Sequence, residues 1–250
     1  MEKRYAAPDE VLYHIGFSAN DIKGAKIAIL PGDPGRVDMV SSFFQTIEFK
    51  RESREFVSCT GMYNGKRMTV LSTGIGCDNL DIVMNELDAL VNIDFDTKEV
   101  KKELKSLRIL RIGTSGSIQP DIPVGAYVFS HISLGADGLL NWYANRDEVS
   151  YKEMEEAFVR DVNWDENLPR PYFIKAADEL VDLFKDCTHK GVTISASGFY
   201  GPQGRVLRIP LAMPDMLERF EKFRFEDYRI TNFEMEGSAL AGLAKKLGHK

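Results

Sequence analysis

The sequence predicts an α/β fold, a single domain over residues 1–250 built on a mixed sheet, and three observations carry that expectation. Short apolar runs such as Lys26-Ile-Ala-Ile-Leu30 alternate with stretches whose apolar residues recur at helical spacing. An Asn64-Gly65 pair between two strand-like runs marks a β-hairpin, so the sheet is not wholly parallel. At 250 residues and 44% hydrophobic content the chain can bury one large core, and no repeat, low-complexity tract or linker interrupts it.

Taken in order, Lys26–Leu30 reads as a buried strand that runs into the turn Pro31-Gly-Asp-Pro-Gly35, with a helix over Val37–Phe44. Strands over Glu55–Thr60 and Lys66–Ser72 meet through the Asn-Gly turn, which puts Arg54 at the mouth of a strand. From Asp78, a plausible N-cap, the residues Leu80, Val83, Met84, Leu87, Leu90 and Val91 form one helical stripe. The charge-rich stretch Asp96–Ser106 reads as a solvated helical excursion. Strands follow over Leu107–Gly113 and Ala126–Leu134, then a helical stripe through Ile174, Ala177, Leu180, Val181 and Phe184. Gly191–Ser197 reads as a strand entering a loop, and Met213, Met216, Leu217, Phe220 and Phe223 as a helix whose methionines are core filler. A last helix packs through Leu240, Leu243, Ala244 and Leu247.

Composition narrows the function. A net charge of −6 argues against a general nucleic-acid or membrane-surface binder, so any anion site must be local. Cys59, Cys77 and Cys187 are scattered and odd in number, as suits reduced thiols. His14, His131, His189 and His249 share no ligand spacing, so no metal site is expected. The start, Met1-Glu-Lys-Arg-Tyr5, lacks the apolar core of a signal peptide, and no run is long enough to span a membrane. The expectation is a soluble cytoplasmic protein.

Three constellations suggest chemistry. Arg36 and Arg111 each sit beside a glycine-bearing turn at a strand end, and Arg54 beside another strand. Glycines let backbone approach a ligand closely and guanidinium forks match phosphate oxygens; solvated surface arginines are the alternative. The loop Gly198-Phe-Tyr-Gly-Pro-Gln-Gly-Arg205 combines aromatics, an amide and a guanidinium, which together fit a pyrimidine edge; the alternative is an ordinary polar loop. In Asn232-Phe-Glu-Met-Glu-Gly237 two carboxylates precede a helix, either complementing its dipole or, at Glu236, taking the vicinal hydroxyls of a ribose. There is no Gly-x-x-x-x-Gly-Lys-Ser/Thr loop, no complete Gly-x-Gly-x-x-Gly opening a helix and no Gly-x-Ser-x-Gly elbow, which removes the main supports for triphosphate hydrolysis, nicotinamide chemistry and covalent serine hydrolysis.

These blocks resemble those of the nucleoside phosphorylases of the uridine phosphorylase type. Pro31–Arg36, Ser53–Phe56, Ser72–Gly76, Leu110–Gly116, Phe199–Arg205 and Phe233–Glu236 occur in that family's order, and His14-Ile-Gly matches its N-terminal segment. The resemblance implies an α/β fold with a distorted central sheet flanked by helices, and phosphorolysis of uridine, deoxyuridine or thymidine by inorganic phosphate in nucleoside salvage. Related purine phosphorylases or nucleosidases, and a nucleoside-binding protein without turnover, are the alternatives. It further implies that Gly32, Arg36, Arg111 and Thr114 bind phosphate, joined by Arg54 from a neighbouring subunit. Phe199, Gln203 and Arg205 would hold the base. Thr114, Glu234, Met235 and Glu236 would line the ribose, with His14 of the neighbour at its 5′-hydroxyl. Arg111, Arg205 and Glu236 would carry catalysis, with no cofactor beyond phosphate, in a homodimer as the active unit or a hexamer assembled from such dimers.

The chain departs from the family pattern in several places. Gly201-Pro202 reverses the usual order, Gly204 stands where a larger polar residue is frequent, and residues 98–105 lengthen the approach to Leu110. Asn79 replaces a serine that in some relatives helps hold a monovalent cation at the dimer interface. The given sequence stops at Lys250, before the strand and helix with which the family continues.

Overall fold

In the computed structural model, which describes residues 11–186 and 189–250, the strand and turn signals of the first half become one five-stranded sheet. Cys187 and the segment Met1–Tyr5 lie outside the described residues. The described residues divide into two units, the first comprising residues 11–75, 79–113 and 246–250 and the second residues 76–78, 114–186 and 189–245.

The first unit runs α1 (Ala19–Ile22), β1 (Ile27–Pro31), α2 (Gly35–Ser41), β2 (Thr46–Ser53), β3 (Phe56–Tyr63), β4 (Lys66–Leu71), α3 (Cys77–Asn92, whose first two residues fall in the second unit), β5 (Ile93–Asp94), β6 (Glu99–Val100) and β7 (Arg108–Ile112). Its sheet order is β2-β3-β4-β1-β7, with β1 parallel to both β4 and β7 and the other pairs antiparallel. The expected hairpin is present: Tyr63 pairs with Lys66, and Asn64 and Gly65 take φ of 46° and 73°, the left-handed pair that a tight hairpin turn requires. Val37 of α2 packs on Cys59 and Val70, with Ile29, Val40, Phe44 and Val57 around them. β2 was not anticipated, because an edge strand exposed along most of its length carries no apolar signature.

Two expectations are corrected here. Residues 96–106 contain no helix: β5 and β6 form a short antiparallel hairpin, and the Asp94 carboxylate accepts the N–H groups of Asp96 and Thr97, each at 3.0 Å. An aspartate that bonds the backbone two and three residues on stabilises a turn and competes with helix. α3 starts at Cys77, so Asp78 lies in its first turn rather than at the cap.

The second unit contains β8 (Gly116–Ser117), β9 (Val128–Gly135), α4 (Lys152–Asp161), β10 (Tyr172–Lys175), α5 (Asp178–Phe184), β11 (His189–Ser195), α6 (Met216–Lys222), β12 (Arg224–Phe225), β13 (Tyr228–Glu234) and α7 (Gly237–Leu247), whose last residues fall in the first unit. β9, β11 and β13 are parallel neighbours, flanked by antiparallel β10, β12 and β8. Register shifts on both sides of β11 distort the sheet, as β-bulges do. The core is aromatic: the Phe158 ring lies 5.4 Å from Phe173, 5.6 Å from Phe220 and 5.2 Å from Phe223. Trp164 stacks on Phe220 at 6.3 Å, whereas Trp142 is fully exposed at the surface. Ile174 belongs to β10, so the helix expected from it begins only at Asp178. Met213 precedes α6 and packs in the core with Met216. Among the described residues no helix is long and apolar enough to cross a membrane.

Candidate active site

In open α/β sheets, ligands collect at the carboxyl ends of parallel strands, and Gly32, Thr114, Phe199 and Glu236 follow such ends, whereas Arg54 lies in the turn of the antiparallel β2–β3 pair and His14 precedes α1. In the first, β1 and β4 continue as paired loops, Thr73 N–H donating to Pro31 O and Gly74 N–H to Gly32 O, both at 2.9 Å. Arg111, opposite Leu30 in the β1–β7 ladder, folds its guanidinium back over Gly113, where any Cβ would collide with Nη1. Its Nη2 reaches within 3.7 Å of the point a Gly32 Cβ would occupy. Gly32 and Arg111 are therefore brought together as bare backbone beside a forked cation. Arg36 is half-buried in the first turn of α2, and Thr114 is exposed just past β7.

Arg54 and His14 meet through a residue the sequence reading missed. Tyr13 accepts a hydrogen bond from Arg54 Nη2 at 2.5 Å, lies under that guanidinium with 4.6 Å to its ring centroid, and packs its ring edge-on against His14 at 4.8 Å. Arg54 forms the β2–β3 turn with φ of 52°, a left-handed conformation that disfavours an arginine. Tyr13 is 72% exposed, so local sequence offers no packing signal for it.

In the second unit the loop after β11 makes a short turn over Gly201–Gln203, closed by Gly204 at φ 73°. A glycine at this departure from the family pattern is what the left-handed backbone favours. Arg205 Nη1 donates to Gln203 Oε1 at 2.6 Å and to Phe199 O at 2.7 Å, and the guanidinium lies 3.9 Å from the Phe199 ring centroid. Phe199, Gln203 and Arg205 thus form one cluster, with Nη2 3.6 Å from the Cβ position of Gly116 on β8. Beneath the loop is a cavity of about 620 Å³, walled by Trp164, Ile194, Met213, Met216 and Phe220 and reached by Tyr200 and Arg205.

At the end of neighbouring β13 the two carboxylates divide their work. Glu234 accepts from Glu236 N–H at 2.9 Å and from Gly237 N–H at 2.9 and 2.8 Å, and takes the Ser195 hydroxyl as well. Ser195 in turn accepts Ser238 N–H at 2.8 Å. Glu234, expected to line a ribose, is therefore the cap of α7, satisfying N–H groups that have no partner within the helix. Glu236 accepts Gly76 N–H at 2.7 Å, and the Cys77 thiol donates to Met235 O at 3.1 Å. Burial, reinforced by Asp137 and Glu234, pushes that thiol far above its ordinary pKa. Behind it Tyr172 donates to Asp137 at 2.8 Å, and Ser238 donates to the same carboxylate at 2.7 Å.

In the first unit the Asn79 amide donates to Ile75 O at 3.2 Å. Among the described residues no group of three or more His, Cys, Asp or Glu side chains is placed to hold a metal ion.

Comparison with known proteins assigns the family. The model of the phosphorylase superfamily matches residues 26–250, running through both units. The chain belongs to the phosphorylase superfamily. Within that superfamily it is 30% identical to the uridine phosphorylase of Salmonella typhimurium, over 95% of this chain and 81% of the relative. A Trypanosoma brucei nucleoside phosphorylase, whose crystal structure is described as showing uridine phosphorylase activity, superposes with a TM-score of 0.81 at 26% identity, covering 98% of this chain and 87% of that one. A DeoD-type purine nucleoside phosphorylase from Thermoanaerobacter sp. is 35% identical, but over only 51% of this chain and 48% of its own.

Proposed function

We propose that the protein cleaves uridine with inorganic phosphate, releasing uracil and ribose 1-phosphate. The observation that carries this reading is the Gln203–Arg205 pair, an amide and a guanidinium 2.6 Å apart at the end of β11 in a member of this superfamily. With Oε1 turned to Arg205, the Gln203 amide N–H₂ is available to donate to one uracil carbonyl, and the second Oε1 lone pair to accept the ring N3–H. Arg205 supplies the donor for charge that builds on the departing base.

Phosphate attacks C1′ as the bond from C1′ to N1 breaks, the electron pair leaves with the uracil ring, and the proton of the hydrogen phosphate ends on the base. Positive charge grows on the sugar and negative charge on the base. Arg111, Arg36, Gly32 and Thr114 hold the nucleophile, Glu236 holds the ribose hydroxyls, and Glu234 with Ser195 holds the segment that carries Glu236. Preorganised donors at a developing charge are worth about 3 to 4 kcal/mol each in the best cases. No covalent enzyme intermediate and no cofactor other than phosphate is needed.

In this reading residues 1–250 make up one phosphorylase domain. His14 and Arg54 complete the pocket of a second subunit, which makes a homodimer the smallest active form, working in the cytoplasm. Uracil release from uridine, with and without phosphate, tests the reading. Release only with phosphate supports it, water-driven release points to a nucleosidase, faster cleavage of inosine to a purine enzyme, and binding without turnover to a nucleoside carrier.

A further inference from the structure

Glu86 lies midway along α3, outside every motif of the sequence, and it is the carboxylate that holds His14. His14 Nδ1 is 2.5 Å from Glu86 Oε1, and Ile15 N–H donates to Glu86 Oε2 at 3.0 Å. The Glu86 side chain is only 18% exposed, against 35% for His14. A carboxylate can only accept, so Nδ1 carries the proton of that bond, and in the neutral ring Nε2 is left as a lone pair. The second oxygen fixes the backbone beside the ring, and Tyr13 packs against its other side, so both the tautomer and the orientation are set.

We propose that Glu86 is a positioning residue that presents His14 Nε2 as the acceptor for the 5′-hydroxyl of the nucleoside. This rests on the reading that places His14 at that hydroxyl. A purely structural pair, tying the N-terminal segment to α3, is the competing account. The two differ on a substrate that lacks the hydroxyl. Under the proposal Glu86 matters for uridine and not for 5′-deoxyuridine, whereas a structural tie serves both substrates alike.

The experiment measures kcat/KM for uridine and 5′-deoxyuridine in the parent, Glu86→Gln and His14→Ala proteins. Glutamine can turn its N–H₂ toward Nδ1 and so invert the tautomer. Glu86→Gln is expected to lower kcat/KM for uridine by about tenfold and to leave 5′-deoxyuridine within about twofold, the loss of one hydrogen bond to the substrate. An equal fall for both substrates, or no fall, while His14→Ala does change the ratio, overturns the role of Glu86 and leaves His14 in place. If His14→Ala leaves the ratio unchanged, the assignment of His14 itself fails, and this inference with it. A second measurement needs no variant: the chain has four histidines, so the ring nitrogens of His14 can be resolved by ¹⁵N NMR in the parent. A proton on Nδ1 alone supports the proposal, and a proton on Nε2 overturns it.

Discussion

In the first unit the ends of β1 and β7 offer bare glycine backbone and the Arg111 guanidinium, whereas in the second the ends of β11 and β13 offer an amide, an arginine and two carboxylates. One of those carboxylates, Glu234, is consumed in holding the chain that carries the other. The difference teaches how each kind of ligand is met. An oxyanion can be taken by a cation and exposed backbone at a strand end, which short motifs encode locally. The carboxylates at the end of β13 depend on a distant partner instead, since Glu234 is held by Ser195, thirty-nine residues away in sequence.

Arg111→Ala should break the first half of this comparison most severely. Phosphate-dependent turnover is expected to fall by about 100- to 1,000-fold, as when a single preorganised donor is lost from a transition-state site, with little change in thermal midpoint. Steady-state kinetics over a phosphate series and a thermal melt check both parts. Arg205→Leu bears on the second half: the preference for uridine over inosine should narrow by about 10- to 100-fold, because a site built on hydrogen bonds discriminates through the donors it leaves unpaired. An unchanged preference would remove Arg205 from base recognition.

Sharing between subunits sharpens the contrast between the two clusters of the first unit. Arg54→Ala and Arg111→Ala proteins, each nearly inactive, should on subunit exchange regain about a quarter of parental activity, since half the random dimers are mixed and each mixed dimer has one intact pocket. Demonstrated exchange without recovery would place Arg54 in its own subunit's site or outside any site. Glu234→Ala should cost about 2 kcal/mol of stability through the lost cap and stranded N–H groups, with a fall in kcat, read by denaturant unfolding and kinetics. The smallest effect on stability is expected from Arg54→Gly, which relieves a left-handed φ of 52° and should leave stability within about 1 kcal/mol of the parent while activity is lost.

Much of this was legible because it is local. The Asn64-Gly65 turn, the α3 stripe and the glycine contexts of Arg36 and Arg111 each depend on a few adjacent residues. The misses share a different cause. β2 is an exposed edge, and in the Asp96–Ser106 stretch Asp94 side-chain bonds outweighed the helical reading. Tyr13, Glu86 and Ser195 act through partners about 40 to 70 residues distant, which no local pattern announces. Glu234 caps α7, a task the sequence does not announce, because a carboxylate before a helix suits a substrate and a cap equally until its partners are seen.

Both tryptophans of the chain, Trp142 and Trp164, fall in the second unit, one in solvent and one stacked on Phe220. The indole emission of this protein therefore watches one half of the molecule only. Fluorescence of the partly buried Trp164 should shift as the aromatic core of that unit opens, iodide should quench Trp142 first, and far-ultraviolet circular dichroism should follow both halves together. Coincident transitions by the two optical signals would mean that the halves melt as one cooperative body, and separated transitions that each has a stability of its own.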